Sequence, residues 1–215
     1  MIALLEWAYL LIGSRPSPWF LTLIAILVSA WAFVRARRTK EKGRRIRLGI
    51  RGEKAVAEKL DELKSRGYRV FHDIEGEGFN VDHVIVGPAG VFVIETKARS
   101  KPKGRRAEVM YDGEQIVVDG MVPDRDPLDQ VRACARFVGG RMRAVTQKET
   151  LIRPVVLFPE WWVWDGPRGA DVWVLNPDRF LGFLGHETQR LSTYEVGRLA
   201  AVISDLARRP SHAGR

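Results

Sequence analysis

The sequence predicts an α/β domain behind an N-terminal transmembrane helix. Three observations carry this: an uncharged apolar run near the N-terminus, a change near residue 48 to alternating amphipathic and β-branched segments, and an amphipathic stretch that closes the chain. At 215 residues the chain can build one ordinary domain with its own core and still leave a segment over. The boundaries that follow are an apolar anchor over 1–34, a basic linker over 35–48 and a folded domain over 49–210.

The anchor centres on "PWFLTLIAILVSAWAFV", Pro18 to Val34, which holds no charge. At about 1.5 Å per residue, a helix of that length spans roughly 25 Å, close to the bilayer core of about 30 Å. Trp19 and Trp31 stand near its ends, where interfacial aromatics are favoured. The run "RARRTKEKGRRIR" follows at once, and its eight basic residues should remain cytoplasmic. This places the protein in the cell membrane, with the lipid bilayer as a partner and the domain facing the cytoplasm. A helix apolar all round is unusual in a soluble fold, and no basic leader or small-residue cleavage site suggests a secretory signal. Met1 to Ile12 carries Glu6 and is too short to span alone. It could lie in the interface, form the first leg of a hairpin in a two-pass arrangement, or extend the anchor.

Charge is distributed to match. Of the net +9, residues 1–47 hold nine Lys/Arg against two Glu, or +7, leaving 26 basic and 24 acidic residues, or +2, for residues 48–215. The high isoelectric point therefore describes the N-terminal segment. The basic run has an ordinary topogenic role that needs no nucleic acid or anionic lipid to explain it. A single cysteine, Cys134, excludes an internal disulfide and a cysteine-rich zinc module, and reads as packing.

In "GIRGEKAVAEKLDELKSRGYRV", Val56, Leu60 and Leu63 recur at helical spacing, and Gly67 supplies the stop. Glu53 lies on the same stripe in the first turn. It is either a carboxylate turned inward or an acid favoured by the helix dipole. "YRVFHDI" then predicts a strand, "EGEGFN" a turn, and "VDHVIVGPAGVFVIETK" a β-hairpin apolar enough to be covered on both faces.

The open end of that hairpin is charged. If Gly87 to Gly90 form the loop, Val86 pairs with Val91 and Asp82 falls opposite Glu95. Lys97, two positions on, shares their face. Opposed carboxylates destabilise a plain sheet, so the placement asks for a cation with oxygen ligands, Mg2+ or Mn2+.

An acid on one strand followed by Glu-x-Lys on the next resembles the PD-(D/E)xK nuclease superfamily. The string "GIRGEKAVAEKL … DIEGEGFNVDHVIVGPAGVFVIETKARSKPKG", with the later "DPLDQ", is similar to the nuclease-related domain within it. The likeness runs from about Gly49 to about Gly140; Val81 stands where the superfamily name has proline, a position without a ligand. The resemblance implies a restriction-endonuclease-like mixed sheet flanked by helices. It also implies Asp82, Glu95 and the Thr96 carbonyl as metal ligands, and Glu53 as a further ligand or one acting through water. Lys97 would hold the attacking water or the phosphate, and Gln130 would orient the lysine or the backbone. The implied activity is metal-dependent hydrolysis of DNA, RNA not being excluded, leaving a 5′-phosphate and a 3′-hydroxyl.

The helix carrying Gln130 is also legible locally: Asp126 can cap it, Pro127 suits its first turn and Asp129 completes a capping-box spacing. An acidic site repels nucleic acid, so phosphate contacts fall to Arg99, Lys101, Lys103, Arg105 and Arg106, for each of which a solvated loop is the competing reading. His72 and His83 read as structural or exposed and stay outside the site. "EWWVWDGP" follows the predicted strand "LIRPVVLF" and reads first as packing, with base stacking or interfacial insertion as alternatives. The competing function is a non-catalytic nucleic-acid or protein binding module tethered to the membrane. A membrane assembly factor using the tryptophans has less in its favour.

Overall fold

The computed structural model describes residues 18–76, 78–101, 104, 106–164 and 166–208. The readings of Met1 to Ile12, Lys103 and Arg105 lie outside the described residues. The chain divides after Ile46 into two units.

The first helix, α1, runs Pro18–Asp61. The segment read as a basic linker is helical because Lys, Arg and Glu are good helix formers, and Gly43 and Gly49 each cost only about 1 kcal/mol in a helix interior. Trp19, Phe20, Ile24, Leu27, Val28, Trp31 and Phe33 are exposed along its N-terminal part. It is one helix long and apolar enough to cross a membrane.

In the second unit, the end of α1 passes into a 3-10 turn, Glu62–Arg66, and Gly67 closes it with φ 84°, a left-handed conformation cheap only for glycine. Val56, Leu60 and Leu63 are fully buried, each worth roughly 1.5–3 kcal/mol of apolar transfer. Strands β1 (Arg69–Glu75), β2 (Asn80–Gly87) and β3 (Gly90–Thr96) form an antiparallel meander. After a small sheet edge, β4 (Glu108–Tyr111) and β5 (Ile116–Val118), comes helix α2 (Pro127–Thr146). Then follow β6 (Ile152–Leu157), β7 (Trp162–Val163), β8 (Trp173–Leu175), α3 (Pro177–His186) and α4 (Thr193–Arg208).

The main sheet has order β1-β2-β3-β6-β8, with β6 and β8 parallel to β3, so it is mixed as the resemblance implies. Both faces are covered. Val84, Val86, Val91, Val93 and Val156 meet α2 and α4, while Ile85, Phe92, Ile94, Val155 and Leu157 meet the end of α1 and α3. The second sheet, β5-β4-β7, adds Val109 and Val163 to the first core.

Hairpin register is as the sequence predicts, Val86 opposite Val91 and His83 opposite Ile94. The loop is tighter, because Gly87 and Gly90 themselves pair and leave Pro88 and Ala89 to turn. Since partners still sum to the same value, the correction moves no side chain to another face.

Candidate active site

The site forms where β2 begins and β3 ends, beneath the N-terminus of α2. Alternation turns Asp82 and Glu95 toward the α2 face and His83 and Thr96 toward the α1 face. β1 loses its pairing beside Asp82: Asp73, opposite it by register, has φ 51° and interrupts the ladder between His72 and Ile74.

Asp82 Oδ2 accepts the Thr96 backbone N–H at 2.7 Å, a bond that ties the carboxylate to the next strand. Glu95 is buried, and its Oε1 accepts from Lys97 Nζ at 2.7 Å. The same ammonium donates to Gln130 Oε1 at 2.8 Å. Gln130 reaches it because Asp126 caps α2, accepting from Leu128 N–H at 2.8 Å, with Pro127 at the first helical position. Asp129 faces Arg132 at 3.6 Å.

Half-buried Asp82 and buried Glu95 resist ionising together. Burial first, and the Glu95 charge second, push the Asp82 carboxyl up to about 7. Burial also raises Glu95, with the Lys97 ammonium pulling in the opposite direction. Glu95 Oε2 is buried without a hydrogen-bond partner. An orphaned carboxylate oxygen beside a second strained carboxylate is the donor chemistry a hard divalent cation suits. Among the described residues, no group of three or more His, Cys, Asp and Glu side chains could hold a metal ion.

Glu53 is exposed and does not turn into the core, yet its charge acts on both Asp82 and Glu95. Its approach depends on Gly52, where a Cβ would stand 2.3 Å from the Ala98 Cβ. Only glycine lets α1 come this close to the segment that leaves β3.

Behind the sheet lies a chain of groups absent from the sequence reading of the site. Asp61 Oδ1 contacts His72 Nε2 at 3.1 Å, His72 Nδ1 contacts His83 Nδ1 at 2.9 Å, and His83 Nε2 contacts Thr96 Oγ1 at 3.2 Å. A carboxylate only accepts, so with a neutral His72 the donor order is fixed: Thr96 O–H to His83, His83 N–H to His72, His72 N–H to Asp61. Burial holds His83 neutral, its pKa lowered to about 3. Neither histidine is exposed, and His83, the buried one of the two, contacts Thr96. Their register pairing across β1 and β2 is the signal that could have joined them. Cys134 is buried, its thiol pushed up to about 11 by burial and by Glu95 and Asp82, which leaves it inert.

A family model described as nuclease-related domain matches residues 48–159, just over half the chain and the whole span from Glu53 to Gln130. The chain belongs to the nuclease-related domain family. An uncharacterised protein of Bacillus anthracis is 34% identical over 82 residues, covering 36% of this chain and 36% of that protein. The shared stretch is thus about a third of the relative's length. No solved structure matches. Nuclease-related membership suggests a nuclease-like function and contact with nucleic acid.

Proposed function

We propose that this nuclease-related domain is a divalent-metal-dependent nuclease acting on DNA, held at the cytoplasmic face of the cell membrane by the apolar part of α1. The observation that carries the reading is the Lys97 ammonium fixed between Glu95 and Gln130, beside half-buried Asp82 and a buried Glu95 with one carboxylate oxygen unpartnered. Membrane attachment is supported by the exposed apolar surface of residues 19–34 and the basic residues after it.

Asp82 and Glu95 would hold Mg2+ or Mn2+, with the Thr96 carbonyl completing the protein's share. Glu53, exposed at the rim, fits a role through water. The bound ion would polarise the scissile phosphate and supply an activated water. The residues' own work is positional. Asp82 is locked to β3 through the Thr96 N–H, so the two carboxylates cannot swing apart. Gln130 and Glu95 hold Lys97 Nζ from two sides, which orients the ammonium toward an attacking water or a phosphate oxygen and places positive charge where negative charge develops.

The test is to incubate the full chain in detergent with linear, nicked and single-stranded DNA and with RNA, in Mg2+, in Mn2+ and in chelator. Cleavage should require the metal and should fall by roughly 100-fold in Lys97→Ala, the scale for losing one transition-state electrostatic group. A wild type that binds equally well in chelator and cuts none of these substrates would establish the non-catalytic binding module instead.

A further inference from the structure

The three tryptophans after β6 do not share one role. Trp161 is 4% exposed and belongs to the core, as the packing reading holds, but Trp162 is 43% exposed and Trp164 48%. The small sheet explains the split. β7 lies parallel to β4, with Glu108 opposite Trp162 and Val109 opposite Val163, so Val163 turns into the core and the two indoles turn out. Their rings meet edge to face at 6.3 Å. Backbone bonds from Trp162 N–H to the Ala107 carbonyl and from Trp164 N–H to the Val109 carbonyl, both 2.9 Å, hold the segment in place. Trp164 Nε1 donates to Glu108 at 3.3 Å, which orients that ring.

The segment that carries this surface is tied, through its buried tryptophan, to the chain just beyond β3. Trp161 Nε1 donates to the Arg99 carbonyl at 3.2 Å, two residues beyond Lys97. The Arg106 guanidinium lies 4.3 Å from the centroid of the Trp162 ring. A cleft of about 480 Å³ runs beside them, lined by Lys101, Arg106 and Trp162 among others.

We infer that Trp162, Trp164 and Arg106 form a platform on which unpaired bases of a single-stranded nucleic acid stack next to the Lys97 site. Aromatic faces and a planar guanidinium are the groups that take bases without regard to sequence, and the basic side chains beside them suit the phosphates. In a duplex the base faces are already stacked, so the platform favours single strands or frayed ends. The inference rests on the nuclease reading only for what Lys97 does to the strand held there.

The experiment uses the full chain in detergent with Ca2+ in place of Mg2+, and follows the anisotropy of a labelled 15-nucleotide oligothymidine and of a duplex of equal length. Trp162→Ala and Trp164→Ala should each weaken oligothymidine binding by roughly 5- to 150-fold, the range for losing one stacked base, and leave duplex binding within about twofold. Trp162→Phe, which keeps a π face, should stay close to wild type, while Trp162→Leu, which keeps only apolar area, should not. Circular dichroism of each variant secures the fold. Wild-type affinity in both alanine variants, or equal rescue by Leu and Phe, overturns the platform and assigns the rings to a lipid or protein surface. Cleavage is scored separately in Mg2+. A chain that binds oligothymidine through these rings but cuts nothing sinks the nuclease reading alone, and one that cuts while the ring variants bind normally sinks only the platform.

Discussion

Asp82→Asn should make the metal-free protein more stable, although it removes a group proposed to be essential. Asn keeps an oxygen to accept the Thr96 N–H, so the β2–β3 tie survives. What disappears is the cost of a half-buried charge facing Glu95. The folded carboxyl titrates at about 7 against an ordinary 3.8. As pH rises from about 4 to 7, the unfolded state therefore gives up its proton first, and the wild type loses stability until both forms are ionised. A gap of about three units at 1.36 kcal/mol each sets a ceiling of about 4 kcal/mol. Because Glu95 shares the field, the gain should be about 2–4 kcal/mol at pH 8 and well under 1 kcal/mol at pH 4. Metal should offset most of that gain. Mg2+ at 100 times its dissociation constant would stabilise the wild type by about 2.7 kcal/mol and the variant by almost nothing. The assay is urea unfolding followed by tryptophan fluorescence, at both pH values, in chelator and in Mg2+. A variant no more stable than wild type in chelator at pH 8, or an equal Mg2+ response in both, would refute the argument that two opposed carboxylates are waiting for a cation.

His83 should impose the opposite pH dependence. With its folded pKa near 3 against 6.5, stability is complete above about 6.5 and falls with acidification toward 3, by up to about 1.4 kcal/mol per pH unit. The two effects oppose one another in the wild type, so the slope should emerge in Asp82→Asn and vanish in Asp82→Asn/His83→Gln, as read by urea midpoints from pH 7 to 4. Gly52→Ala should cost about 1–3 kcal/mol, because its Cβ must displace Ala98. Metal-dependent cleavage, if present, should fall with it, since Ala98 follows Lys97; unchanged stability would show that α1 shifts freely. Protease added outside intact cells should leave the domain uncut, and its digestion would reverse the topology drawn from the basic run.

Much of the fold was legible because its determinants are local. A tight turn between two β-branched runs fixes antiparallel register, which is why Asp82, Glu95 and Lys97 could be set on one face from spacing alone, even with the loop drawn two residues too long. Asp126, Pro127 and Gly67 act within one helical turn of their own position and were equally readable. Exposure of Glu53 was not readable, because its stripe position marks a direction around the helix but not where the core ends along it.

What the sequence determined by itself was the first core helix, the hairpin with its register, the helix that carries Gln130, the strand after it, the closing helix and the identity of the charged groups at the hairpin's open end. Tertiary structure alone decided which groups meet across distant segments. Lys97 finds Gln130 through the docking of α2, and His83 finds His72 and Asp61 through the pairing of β1 and the closeness of α1. Three adjacent tryptophans divide between core and surface only once β7 pairs with β4. Periodicity describes one element at a time, whereas these contacts depend on how sheets and helices stack, and a side chain's partner across that stack leaves no mark on its neighbours in the chain.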